Sequence, residues 1–169
     1  MSTHVHERLR IRHRPEDVYT LVGDVEAYPK FISFLTALRV TRRDDTEQGA
    51  ILVAEAKARY KFVSEKFVTR VTLNDVAHTI RVDLVKGPFR SLVNTWEILR
   101  LPDGSSLVDF KIDFEFSNPM LNVLLAASKD RAVSFIINAF VDRARQLYPV
   151  VGEETLDLDA AVGALDTAR

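Results

Sequence analysis

Four histidines and one glutamate are the side chains whose type and placement could do chemistry near neutral pH. His4 and His6 stand two apart in an alternating segment, so both point to one side and could supply two metal ligands, with His13 close behind in sequence. Two imidazoles without a nearby third ligand make a weak site, and no metal is expected. His78 lies beside a turn signal, where solvent is its natural neighbour. Glu65, between Val63 and Phe67, would face inward from a strand and is a candidate general base; a glutamate so placed more often pairs with a cation or marks a bulge. Gly-x-Ser-x-Gly, a phosphate-cradling glycine loop and His-Glu-x-x-His are all missing. The chain holds no cysteine, which removes disulfides, thiolate nucleophiles and thiolate metal sites. No convincing acid–base pair remains. A non-catalytic protein without a cofactor is expected.

Arg8, Arg10 and Arg12 form a comb on one face of the first strand. It could meet RNA or anionic lipid, but a structural role is favoured. If the first strand pairs with the last, the comb lies beside Asp109, Asp113 and Glu115, and opposite charges satisfy each other across the strands. The whole chain balances 23 basic against 24 acidic residues over 169 positions, giving no general pull toward nucleic acid; DNA is not an expected partner. No apolar run approaches the roughly 18 residues of a membrane span. The N-terminal Ser2-Thr3-His4-Val5-His6-Glu7 has no apolar core of a leader segment. A soluble, cytoplasmic protein is expected, with any membrane contact peripheral, at the inner face of the plasma membrane.

The elements that would position these residues follow from periodicity. Val5 to Arg12 alternates as a strand. Arg14-Pro15-Glu16-Asp17 opens a helix with Val18, Leu21, Val22 and Val25 as its apolar stripe, and a second short helical piece spans 27–35. Period-two segments at 37–43, 50–58, 61–72, 78–86, 91–100 and 106–116 are separated by turn signals such as Gly87-Pro88 and Pro102-Asp103-Gly104. Short turns between consecutive strands predict an antiparallel meander. Ser117-Asn118-Pro119 then caps one long helix to Tyr148, about 45 Å at 1.5 Å per residue. The acidic, alanine-rich tail from Val151 reads as a short frayed helix or disorder. The fold class is therefore α+β: a curved antiparallel sheet of about seven strands around a C-terminal helix, with two short helices after the first strand. Residues 1–149 form the domain and 150–169 the tail.

Such a sheet fills against its helix only if the inward side chains are large. Ala54, Ala56 and Ala58 share one face with Leu52, and Ala132 and Ala139 lie on the helix stripe. These alanines either leave an apolar space or let the helix approach closely. Asn94 and Trp96 put polar groups on an inward face and need partners, either each other or the head group of a ligand.

Asp24-Val25-Glu26-Ala27-Tyr28-Pro29-Lys30-Phe31, Gly87-Pro88-Phe89, Asn94-Thr95-Trp96-Glu97, the segment Asp109 to Phe116 and Ala139 to Tyr148 together resemble the coenzyme Q-binding protein family. That family belongs to the polyketide cyclase/START-like superfamily with its helix-grip fold, and it includes the ribosome association toxin RatA. The resemblance spans about residues 3 to 149. It implies a START-like lipid-binding domain whose hydrophobic tunnel holds the polyprenyl tail of ubiquinone, acting in cellular respiration as a quinone chaperone. The alternative it implies is a RatA-like toxin that binds the large ribosomal subunit and inhibits translation, for which Arg39, Arg42, Arg43, Lys57 and Arg59 would supply a basic patch. On the quinone reading the tail lies between Ala54, Ala56, Ala58 and the helix stripe with Leu125 and Phe135. The ring lies near Tyr28, Phe31 and Phe34, and Asn94, Trp96 and Phe110 complete the ligand-binding set. This chain departs from the family where a proline and often Trp-Cys follow Phe31; here Ile32-Ser33-Phe34-Leu35 stands there.

Overall fold

The computed structural model describes residues 2–60 and 63–168; the first two positions of the strand expected over 61–72, the first position of the expected domain and the last of the tail lie outside the described residues. Strand β1 (Thr3–Ile11) leads into helix α1 (Pro15–Gly23) and a 3-10 turn (Val25–Lys30). Six strands follow: β2 (Leu35–Asp45), β3 (Gly49–Tyr60), β4 (Val63–Asn74), β5 (Thr79–Lys86), β6 (Phe89–Arg100) and β7 (Ser106–Phe116). Helices α2 (Pro119–Ala126), α3 (Lys129–Leu147) and α4 (Leu158–Ala168) close the chain.

All seven strands form one sheet in the order β1-β7-β6-β5-β4-β3-β2, every pairing antiparallel. The first strand does pair with the last, with Arg8 opposite Asp109. Alternation explains the strands. Along β7, Val108, Phe110 and Phe114 are buried while Lys111 and Asp113 face out. On α1 the buried residues are Pro15, Val18, Leu21 and Val22, one face of a helix whose first turn carries Glu16 and Asp17.

The single helix expected from 119 to 148 is two helices. Asn118 caps α2 by accepting from the Met120 N–H at 3.0 Å, with Pro119 in the first turn. Asn122 then ties α2 back to the sheet, accepting from Phe116 N at 2.8 Å and donating to Phe116 O at 3.0 Å. These bonds fix the direction of α2 at the end of β7. The chain must turn before it can cross the sheet, and it does so at Ser128, whose φ of −130° and ψ of 11° leave the helical region. A serine breaks a helix at little cost because its hydroxyl competes for backbone groups. Nineteen residues remain in α3, about 28 Å at 1.5 Å each. The helical piece placed at 27–35 is instead the shorter, earlier 3-10 turn, with Pro29 inside it lacking the N–H that a longer helix would use.

The tail forms α4 and lies on the outer face of the sheet. Leu101 and Leu107 point away from the main core yet are buried beneath Ala161, with Leu99, Leu156, Leu158, Val162 and Leu165 around them. Polar bonds lead the chain there. Val151 N donates to Arg12 O at 2.9 Å, Arg12 Nη2 to Gly152 O at 3.0 Å and Arg10 Nη2 to Glu153 O at 2.7 Å.

Candidate functional site

Between the concave face of the sheet and α3 lies a cavity of about 370 Å³. Ala54 and Ala56 of β3 are 2% and 4% exposed, and the volume their short side chains leave forms part of it. Phe67, Thr69 and Val71 of β4, Leu92, Asn94 and Trp96 of β6 and Phe110, Ile112 and Phe114 of β7 continue the wall. Tyr28, Ile32 and Phe34 enter from the 3-10 turn and the segment after it. Leu125 of α2 and Lys129, Ala132, Val133, Ile136 and Phe140 of α3 close the opposite side.

Two aromatic clusters bracket the cavity. Phe140 stands among Tyr28, Phe31 and Trp96 at ring distances of 5.1, 5.2 and 5.0 Å, each edge to face, and Trp96 meets Phe110 at 4.8 Å. Toward the other end of β6, Phe89 stacks on Phe116 at 4.9 Å and meets Phe67 at 5.9 Å. Gly87 permits the second cluster, because a Cβ there would come within 2.6 Å of the Phe67 Cβ.

The polar groups facing this space are mostly bound within the protein. Trp96 Nε1 donates to Asn94 Oδ1 at 2.9 Å, and Asn94 Nδ2 donates to Lys111 O at 2.8 Å, so Asn94 and Trp96 serve each other. The Tyr28 hydroxyl donates to Val22 O. Burial, with the Asp24 charge adding to it, raises the Tyr28 pKa well above that of a free phenol, and the group stays a neutral donor.

Eight of the eleven residues of the expected ligand-binding set line the cavity: Tyr28, Phe34, Ala54, Ala56, Asn94, Trp96, Phe110 and Leu125. Three sit behind or beside it. Phe31 packs on the far side of Phe140, with the Arg143 guanidinium 5.7 Å from its ring. Ala58, opposite Glu65 on β4, is half-buried toward the end of β3. Phe135 is 49% exposed and touches Phe34 from outside at 6.1 Å. Phe67, Thr69 and Val71, outside the expected ligand-binding set, also line the cavity, and their signal in the sequence is that they share one face of an alternating strand. Lys129 carried no signal, since a lysine in the middle of the single helix expected from 119 to 148 reads as solvated.

The charged residues divide differently from the expectation. Arg8 pairs with Asp109 at 3.2 Å, but Asp113 is held by His4, and His6 shares Asp109 at 2.7 Å. Arg10 turns instead to Asp103 at 2.5 Å and Ser105 at 3.1 Å, and Arg12 to the Gly152 carbonyl. Among the described residues no three His, Asp or Glu side chains come together as a metal-sized group. Arg39, Arg42 and Arg43 are each matched by a carboxylate, Glu55 at 3.1 Å, Asp44 at 2.8 Å and Asp45 at 3.0 Å.

Three comparisons bear on this architecture. Residues 11–141 match the family described as polyketide cyclase / dehydrase and lipid transport. The chain is 28% identical over 148 residues to the ribosome association toxin RatA of Pseudomonas aeruginosa, covering 88% of this chain and 99% of that one. It is also 28% identical over 134 residues to the mitochondrial coenzyme Q-binding protein of Schizosaccharomyces pombe, covering 79% and 81% of the two chains. The solution structure of the 18 kDa protein CC1736 from Caulobacter crescentus superposes with a TM-score of 0.71 at 36% identity, covering 87% of this chain and 97% of that one.

Proposed function

The chain belongs to the polyketide cyclase/dehydrase and lipid transport family, and we propose that within it this protein binds ubiquinone or a similar polyprenyl lipid without transforming it, as a quinone chaperone for respiratory electron transport. The observation that carries this reading is the cavity: about 370 Å³, walled by apolar and aromatic side chains. Its volume lies in the range of small-ligand sites, roughly 300–1,000 Å³, and an apolar space of that kind favours an apolar guest over water. A cavity of this size takes part of such a lipid, and the remainder of a longer one lies outside it. Catalysis has little support, because the titratable side chains in the wall are Tyr28, whose proton is held, and Lys129. The likeness to a coenzyme Q-binding protein supports a quinone as the ligand.

The test is to purify the protein, extract its lipid and identify it by mass spectrometry, then titrate the apoprotein with a short-tailed ubiquinone. The single Trp96 lies in the wall, so its fluorescence reports entry. Co-purified quinone or saturable quenching is expected; neither appearing would end the reading.

A ribosome-directed role is the second reading, favoured by the likeness to RatA over most of the chain. The outer cations Arg39, Arg42 and Arg43 are paired, which weakens an RNA-binding patch there. Co-sedimentation with the large ribosomal subunit and growth arrest on overexpression distinguish the two. No helix among the described residues is long and apolar enough to cross a membrane. Contact with the inner face of the plasma membrane from a cytoplasmic location would be peripheral. It would be made by α2, whose Met120, Val123 and Leu124 are 69%, 68% and 58% exposed.

A further inference from the structure

Lys129 is a charged side chain in a wall otherwise built of apolar, aromatic and uncharged polar groups. We infer that it anchors the head of the guest, and that the cavity therefore selects an amphiphile whose polar end presents an oxygen acceptor, a carbonyl or a carboxylate. The inference rests on the apolar-ligand reading and goes beyond it by assigning the head-group contact to one residue.

Elimination is the first support. Tyr28, Trp96 and Asn94 donate to Val22 O, Asn94 Oδ1 and Lys111 O respectively. Of the polar groups in the wall, that leaves the second Asn94 amide N–H and the Thr69 hydroxyl, both on the sheet, and the Lys129 ammonium, the one charged donor, at the junction of α2 and α3. Lys129 is half-buried, and among the described residues no carboxylate forms an ion pair with it.

Helix stability does not explain the residue. Lys129 is the first residue of α3, next to the positive end of the peptide dipoles, where a cation is unfavourable. The bland alternative is that its methylenes cover apolar surface while the ammonium reaches water. Both readings keep the stem in the wall, but they differ in what the charge meets. An acceptor oxygen held beside apolar surface forms a charge-assisted hydrogen bond stronger than a neutral one. The tail then points inward toward Ala54, Ala56 and Trp96, and the head stays at the α2–α3 junction.

Three probes separate the possibilities, measured on the full chain and on Lys129→Met and Lys129→Arg: diphenylhexatriene, a hydrocarbon with no acceptor; ubiquinone-2, with carbonyl acceptors; and dodecanoate, with a carboxylate. Lys129→Met should leave diphenylhexatriene binding within about twofold and weaken dodecanoate by about tenfold, with a smaller loss for ubiquinone-2; that tenfold corresponds to about 1.4 kcal/mol. Lys129→Arg should restore most of the loss. A loss on both acceptor probes supports the anchor, and the larger loss for dodecanoate follows from its full negative charge. If Lys129→Met binds both acceptor probes like the unaltered protein, the anchor is overturned while the cavity reading stands. If the unaltered protein binds none of the three, the cavity reading itself fails.

Discussion

The indole N–H of Trp96 donates to the side-chain oxygen of Asn94, two residues away on the same strand, at 2.9 Å. Trp96 is 5% exposed, so its N–H has no ready access to water. Asn94→Leu keeps the approximate volume but leaves that donor without an acceptor. An unsatisfied buried donor costs about 1–3 kcal/mol. Chemical denaturation should show that loss, with ubiquinone-2 affinity changed little, because the pair serves the sheet rather than the guest. A large affinity loss at unchanged stability would reverse the assignment.

Ala56 is 4% exposed and borders the cavity opposite Phe67 across β3 and β4. Ala56→Phe places a ring in the open volume. Because the space exists, the overpacking penalty of about 1–3 kcal/mol in a filled core should be largely avoided. Quenching of Trp96 by added quinone should fall at least tenfold while the thermal midpoint moves by only a few degrees. Undiminished uptake would place the guest elsewhere.

Asp103 joins the tail to the body. Burial opposes its ionisation, but hydrogen bonds from Ser105, the Glu153 N–H and Arg10 outweigh it and hold the carboxyl pKa well below the ordinary carboxylate value. A carboxyl depressed in the folded state contributes stability above its unfolded pKa of about 4, and that contribution disappears as pH falls through the folded pKa. The urea midpoint should therefore decline as pH is lowered from about 5 to 2. Asp103→Asn should be less stable at neutral pH and show a shallower decline. An unchanged slope would mean that other carboxylates dominate the acid response.

The sheet was legible because period-two alternation and turn residues survive without any knowledge of partners: β7 was read at its observed bounds of 106 and 116. The break at Ser128 was not legible, since it depends on Asn122 reaching back to Phe116, a contact that no helical periodicity encodes. Of the alanines of β3, Ala54 and Ala56 lie in the cavity wall, while Ala58, near the end of the strand, does not. Phe135 shows the limit of a wide apolar stripe. On α3 it faces outward at 49% exposure, while Phe140, in the same stripe, is 4% exposed at the centre of the aromatic cluster. Lys129 was invisible for a related reason, because its place in the wall follows from the turn that separates α2 from α3.

That turn also leaves α2 as a short helix without a charged residue, its Leu125 on the cavity and Met120, Val123 and Leu124 in solvent. The turn after β5 lies beside its start, with Ser117 N donating to Pro88 O at 2.8 Å. The exposed cations Lys86, Arg90 and Arg131 are near in sequence to these segments, with Asp130 and Glu115 as the accompanying acids. A helix that is greasy on its outer side and borders a lipid-sized cavity is suited to dip into a bilayer interface, where its apolar residues leave water. Flotation with phosphatidylglycerol-containing vesicles should carry the protein upward. Combining Met120→Asp with Val123→Asp should abolish flotation, leave the thermal midpoint near that of the unaltered chain and preserve diphenylhexatriene binding. These positions are exposed and α2 is held to the sheet by Asn122, so the substitutions remove no core contact. Should the unaltered chain stay with the protein fraction and instead elute as a dimer that the same two substitutions dissociate, the face is a contact between copies of the chain and not a membrane surface.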